Sequence, residues 1–160
     1  MAHFLSDDEL AGCAVREARL THQHPLAGDV AAAVAVLCRA LIRGEPWGDA
    51  LALAKAGRLR QTIQALDGDD SSALSPGGFA PEVLRAAVHF VAHHGSFTDS
   101  LDASLHFAGP ANYCPVLVGA VAGARWGAVA ISPKMLSDCD VSMRVQRAAE
   151  ILANEWERTE

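Results

Sequence analysis

Aromatic side chains are scarce in this sequence, 6% of its 160 residues, although 51% of the chain is apolar. The apolar content is carried by alanine, leucine and valine, the residues of closely packed helices, and no segment alternates apolar and polar positions as a half-buried strand does. Basic residues are few and scattered singly, 13 Lys and Arg against 19 Asp and Glu for a net charge of -6. Nucleic acid and anionic membrane surfaces need a concentrated basic face, so both are excluded as partners. Cys13, Cys38, Cys114 and Cys139 stand far apart among apolar neighbours, which reads as small buried hydrophobes and not as a disulfide or metal framework. The start MAHFLSDDELAG turns acidic within a few residues and lacks the apolar core of a leader peptide. The longest apolar stretch, YCPVLVGAVAGARWGAVAI, is interrupted by Pro115, Arg125 and several glycines and makes a poor membrane span. A cytoplasmic location is the resulting expectation. Walker loop, dinucleotide fingerprint and nucleophile elbow are all missing.

What is present is helical periodicity. Ser6 and Glu9 form a capping box opening a helix that runs to about Leu20, and THQHP breaks it. Pro25 begins a second helix, with Leu26, Val30, Ala33, Val34, Leu37, Cys38, Leu41 and Ile42 on one face, which Gly44 stops. Pro46 starts a third helix through Trp47, Ala50, Leu51 and Ala54, and Leu59, Ile63 and Leu66 mark a short fourth. DGDDSSALSPGGFA is a loop by its composition. Pro81 reopens helix through Val83, Leu84, Ala87, Val88 and Val91 to Gly95, and Ser96 with Asp99 caps the next. The helix after Tyr113 carries Gly119 and Gly123 four apart, a spacing that lets another backbone approach closely at the centre of a bundle. Ser132-Pro133 opens a short helix, and Asp140 is the expected cap of the last, through Val145, Ala149, Leu152 and Trp156. The expected fold is all-α, a compact orthogonal helical bundle forming a single domain over residues 1–160.

Several residues invite a chemical reading. His89 and His93 are spaced to share a zinc ion on one helix face, but no Glu follows His89 and no third ligand is evident, so they read as helix histidines beside the Gly95 turn. His93 and His94 also suit a helix C-terminus, where positive charge is favourable. Asp67, Asp69 and Asp70 begin like a calcium loop, but Ser72 and Gly78 occupy the positions of its glycine and closing glutamate, leaving a solvated acidic turn. Gly77-Gly78-Phe79 is a small loop able to turn backbone amides to a ligand. Thr21 and His22, ahead of Pro25, read on residue chemistry as a cap and a turn histidine.

Taken together and in order, LTHQHP with the long helix ending at Gly44, GGFAPEVLRAAVHF, SFTDSLDASLHFAGPANY and VGAVAGARWGAVAI resemble the ADP-ribosylglycohydrolase family, from about residue 10 to the end. The resemblance implies an all-helical fold and, in active members of nearly twice this length, two magnesium ions that bind ADP-ribose and help open its glycosidic bond. It places this chain on the carboxy-terminal half, after the half that carries a Thr-Asp-Asp run of metal ligands. The family's second ligand set, a Gly-Gly-Asp-x-Asp-Thr loop, falls on Ala108, Gly109, Pro110, Ala111, Asn112 and Tyr113. Magnesium requires hard oxygen ligands, usually carboxylates. Pro110 has no side-chain oxygen, Asn112 offers a neutral amide, and Tyr113 puts a bulky phenol where a small hydroxyl belongs.

The resemblance also implies that His22 lies beside bound ADP-ribose, that Gly78 and Phe79 border the cleft, and that Gly109 and Asn112 remain near it. The expected function is therefore that of a catalytically inactive, half-length relative acting as a binding or interaction module, with ADP-ribose or a nucleotide as ligand and no cofactor. One alternative is a subunit of an enzyme whose metal-binding half lies on another chain, and only then would magnesium bind. Another is an oligomeric structural protein without a nucleotide role. Removal of half a helical domain would bare apolar helix faces, so a homodimer or a partner protein covering them is expected.

Overall fold

The computed structural model describes residues 5–68, 74–108 and 113–157, except for the side chains of residues 152 and 155–157. Within them the chain forms α1 (Asp7–Ala18), α2 (Pro25–Ile42), α3 (Trp47–Lys55), α4 (Arg60–Leu66), α5 (Ala80–His93), α6 (Phe97–Ala108), α7 (Cys114–Trp126), α8 (Pro133–Ser137) and α9 (Ser142–Glu157), with a 3-10 turn at Ala128–Ala130 and no strand among the described residues.

The helix starts follow local chemistry. The Ser6 hydroxyl accepts from the Glu9 amide at 3.3 Å while the Glu9 carboxylate accepts from the Ser6 amide at 2.8 Å, which satisfies two of the orphan donors of α1. Ser96 caps α6, its hydroxyl accepting from the Asp99 amide at 3.1 Å and donating to the Asp99 carboxylate at 2.7 Å. Pro25 sits in the first turn of α2, and the His24 ring supplies the cap by accepting from the Leu26 amide at 3.2 Å. Asp140 does not cap α9: the helix begins at Ser142, and the Val141 carbonyl accepts from Val145 at its start.

α5 packs against α2, α4, α6 and α7. Its Leu84, Ala87, Val88 and Val91 pack with Leu37 and Ala33 of α2 and with Cys114, Val118, Val121 and Ala122 of α7 in one apolar cluster, flanked by α3, α4 and α6. A second cluster joins Leu10 and Ala11 of α1 to Ala32 and Val36 on another side of α2. Two buried faces explain the composition of α2, which among the described residues is the one helix of sufficient length and apolarity to cross a membrane and is 56% buried between its neighbours.

The close backbone approach expected at Gly119 and Gly123 is found elsewhere. No described atom lies within 4 Å of where a Gly119 side chain would begin, and Gly123 meets only the edge of Phe97 at 4.0 Å. At Gly28 of α2 a side chain would meet Val15 Cγ1 at 3.2 Å and the Val15 Cα at 3.5 Å, so α1 is seated on α2 through the space this glycine leaves. Asp29, next to it, accepts from the Leu59 amide at 2.9 Å and lies 3.7 Å from the Arg58 guanidinium, which ties α2 to the start of α4.

Candidate functional site

The end of α1, the connector before α2, the outer face of α2 and the loop before α5 enclose a cavity of about 740 Å³. Ala14, Glu17 and Ala18 form one wall, and Leu26, Ala27, Val30, Ala31, Val34 and Ala35 of α2 form the floor. His22 and His24 close one end, Gly78, Phe79 and Ala80 the other, and Leu117 of α7 completes the lining. The volume suits a small organic molecule. Alanines at three successive turns of α2 hold the floor open, since larger side chains at those positions would fill it.

His22, Gly78 and Phe79 thus lie together on one cavity although the first is separated from the others by more than two helices of sequence. His22 Nδ1 lies 2.8 Å from the Thr21 hydroxyl, which itself lies 3.4 Å from the Ala18 carbonyl, so the ring is oriented by the last turn of α1. The His24 Nδ1 accepts a backbone hydrogen bond, which leaves its Nε2 carrying the proton in the neutral ring. Phe79 is 46% exposed, presents an apolar ring at the rim, and accepts through its carbonyl from the Glu82 and Val83 amides at the start of α5. α5 has no side-chain cap, and its first residue, Ala80, faces the cavity. Gly78 meets no described atom within 4 Å of a notional side chain, so its freedom of space is compatible with an approaching ligand.

Among the described residues the lining is largely apolar and contains no lysine or arginine, and Glu17 is its one carboxylate. Such a surface suits a planar or apolar moiety, with hydrogen bonding from the two imidazoles, and offers no fixed cation to a diphosphate. His24 and Glu17 extend the site beyond the residues singled out in the sequence. The signal for His24 was its place before Pro25, where only a turn was inferred.

Of the positions that the resemblance sets against the family's metal-binding loop, Gly109, Pro110, Ala111 and Asn112 lie outside the described residues. Tyr113 is described: it is 73% exposed at the start of α7 and does not line the cavity. Its carbonyl accepts from the Val116 amide, and one turn later Leu117 reaches the cavity wall. The donor chemistry at these positions does not fit a magnesium pair: proline supplies no side-chain oxygen, the asparagine is uncharged, and the phenol of Tyr113 is turned to solvent at the helix start.

His89 and His93 do share a helix face, but their rings stack with centroids 4.2 Å apart, and His93 Nδ1 pairs with the His89 carbonyl at 2.9 Å. His94 and His106 bind the carbonyls of Phe90 and Asp102 in the same way, at 2.8 Å each. The histidines therefore serve their own helix ends, and no group of three metal-ligating side chains occurs among the described residues. Asp67 is paired with Lys55 Nζ at 2.6 Å, joining α3 to α4, while Asp69 and Asp70 lie outside the described residues. Burial pushes the Cys114 thiol up to about 12 and that of Cys38 up to about 11, as expected of thiols packed as hydrophobes. Cys139, by contrast, is exposed.

Two arginines have structural posts the sequence did not disclose. Arg125 donates to the Val91 carbonyl at 2.6 Å, with its guanidinium 4.8 Å and 4.9 Å from the Trp47 and Trp126 ring centres, and burial lowers its pKa. Arg39, inside the bundle, reaches the Leu5 carbonyl and Asp7.

The architecture is that of an all-helical domain with an apolar cleft between its first two helices and the start of its fifth. Residues 1–160 match the ADP-ribosylglycohydrolase family, and the chain belongs to it. Among solved structures, a chain of an "ADP-ribosylglycohydrolase-related protein complex" aligns with a TM-score of 0.75 at 26% sequence identity, over 85% of this chain and 50% of that one. The chain therefore spans about half the length of that relative. No curated protein matches it.

Proposed function

We propose that this member of the ADP-ribosylglycohydrolase family binds ADP-ribose or a related nucleotide without hydrolysing it. The observation that carries the reading is the meeting of His22, Gly78 and Phe79 on one cavity of about 740 Å³. The apolar floor takes the base, the Phe79 ring covers it at the rim, and His22 and His24 hydrogen-bond the ribose or the nearer phosphate. Without an arginine or lysine among the described lining residues, the diphosphate gains little there, and the expected affinity is weak, with Kd on the order of 0.1 mM.

Hydrolysis is not expected, because Pro110, Asn112 and Tyr113 stand where the family's loop supplies carboxylates and a small hydroxyl. Incubation with ADP-ribosyl-arginine in magnesium buffer should release no ADP-ribose above the rate without protein. Release that a chelator abolishes would refute the inactive reading.

A second reading is favoured by the coverage of only 50% of the solved relative. In it, this chain supplies the His22 and Phe79 side of a composite site, and the magnesium ligands reside on a separate polypeptide. Activity that is absent from this chain alone and appears when a chain bearing a Thr-Asp-Asp run is added would select it.

A further inference from the structure

A second, smaller cavity of about 260 Å³ lies between α4 and the start of α5, and Phe79 is the one described residue it shares with the larger cavity. Its character is different. Gln61 and Gln64 of α4 and Glu82 and Arg85 of α5 line it, while Phe79 and Pro81 supply its apolar part. Positions three apart share a helix face, so each helix brings a pair of polar side chains to the same space.

None of these four side chains makes a hydrogen bond or ion pair among the described residues. For the two exposed glutamines that is ordinary. Arg85, however, is half-buried, and the other described arginines that are buried or half-buried, Arg39, Arg58 and Arg125, each have a carboxylate or carbonyl partner. A partly desolvated guanidinium without an acceptor is unfavourable, and an acceptor brought by a ligand removes that cost. Glu82 does not fill the role, although it stands one turn away. Its Oε2 lies 3.3 Å from where a Gly77 side chain would begin, so the carboxylate is turned toward the loop and makes no ion pair with Arg85. Its place in the first turn of α5 is explained by the helix dipole.

The groups left to meet a ligand are donors, the planar fork of Arg85 and the amide NH2 groups of Gln61 and Gln64. An oxyanion accepts from such a set, and a guanidinium grips two of its oxygens at once. Glu82, in the same lining, disfavours a second negative charge, so a carboxylate suits the site better than a phosphate dianion. The half-exposed Phe79 ring adds a flat apolar wall for a ring that carries the carboxylate.

We propose that the cavity between α4 and α5 is a binding site for an aromatic carboxylate, which pairs with Arg85, takes hydrogen bonds from Gln61 and Gln64, and sets its ring against Phe79. The site does not depend on the ligand reading of the larger cavity, since no histidine and no residue of α1 or α2 belongs to it. With a single cation open in part to solvent, the Kd should be on the order of 1 mM.

The probe is benzoate, titrated to about 20 mM at constant ionic strength into the isotope-labelled full chain and followed by NMR, with phenyl phosphate and benzyl alcohol as comparison ligands. Benzoate should give saturable shifts at the Arg85 Nε–H and at the side-chain amides of Gln61 and Gln64, and uncharged benzyl alcohol should not. Phenyl phosphate should bind at least about threefold more weakly, and Glu82→Gln should close that gap. Arg85→Gln should weaken benzoate at least about tenfold while Tm stays within about 1 °C of wild type, because Arg85 holds nothing in its own chain. Benzoate that fails to saturate, benzyl alcohol that binds as well, or Arg85→Gln that binds benzoate like wild type would each overturn the proposal. Tighter binding of phenyl phosphate than of benzoate would overturn the carboxylate assignment.

Discussion

Gly28 is where α1 seats on α2, and replacing it tests that geometry. A side chain there would begin 3.2 Å from Val15 Cγ1, a tight contact, with the Val15 Cα in ordinary contact at 3.5 Å, so a side chain longer than a methyl has to grow into the space Val15 fills. Leucine is the informative replacement, since it is a strong helix former and removes propensity as an objection. Relative to glycine it gains about 1 kcal/mol of helix propensity, while overpacking a tight helix contact costs about 1–3 kcal/mol. The steric term wins, and Gly28→Leu should lower Tm by roughly 2–6 °C for a domain of this size. Gly28→Ala should be close to neutral, as the methyl asks only a small shift of one valine branch. Gly119→Ala, with no described atom within 4 Å, should raise Tm by roughly 2–4 °C. Scanning calorimetry of the three variants decides the matter. If Gly28→Leu melted at or above wild type, or Gly119→Ala lost as much as Gly28→Leu, the placement of the tight helix contact would be wrong.

Thiol titration with an aromatic disulfide at pH 8 should show Cys139 reacting at once and Cys114, fully buried, reacting only on unfolding. Because Cys38 and Cys114 have raised values, their contribution to stability is complete below about pH 9 and declines as pH rises toward about 11 and 12, so urea midpoints should fall across that alkaline window. At the acid end, the Ser6 hydrogen bonds lower the Glu9 pKa, so its contribution is present above the ordinary carboxylate range and is lost as pH falls through the lowered value; Glu9→Gln should lack that acid-side dependence in a pH series of melts. Ser6→Ala should reduce Tm by roughly 2–4 °C through loss of the α1 cap.

Helix starts were largely legible, because capping serines and first-turn prolines act within a few residues: Ser6, Pro25, Pro81 and Ser96 each fall at the start they imply. The grouping of His22 with Gly78 and Phe79 was legible only through family resemblance, since no spacing relates positions so far apart. Glycine roles were harder. The Gly119 and Gly123 spacing looked like a helix contact, whereas Gly28, without a repeat to mark it, makes the tight approach. Which neighbour a glycine faces depends on how whole helices are arranged, and a single helix's sequence does not record that. The posts of Arg39 and Arg125 escaped for the same reason, as each reaches a carbonyl 34 residues away. Asp140 was a plausible cap by type, but the turn at Cys139 to Val141 hands that position to Val141.

Calorimetric titration of ADP-ribose into the wild type and into His22→Ala, each with and without magnesium, bears most directly on the cavity as a binding site. Binding heat in the wild type that is indifferent to magnesium and disappears in His22→Ala is the predicted result. No heat in either protein, or heat that His22→Ala leaves unchanged, would contradict it.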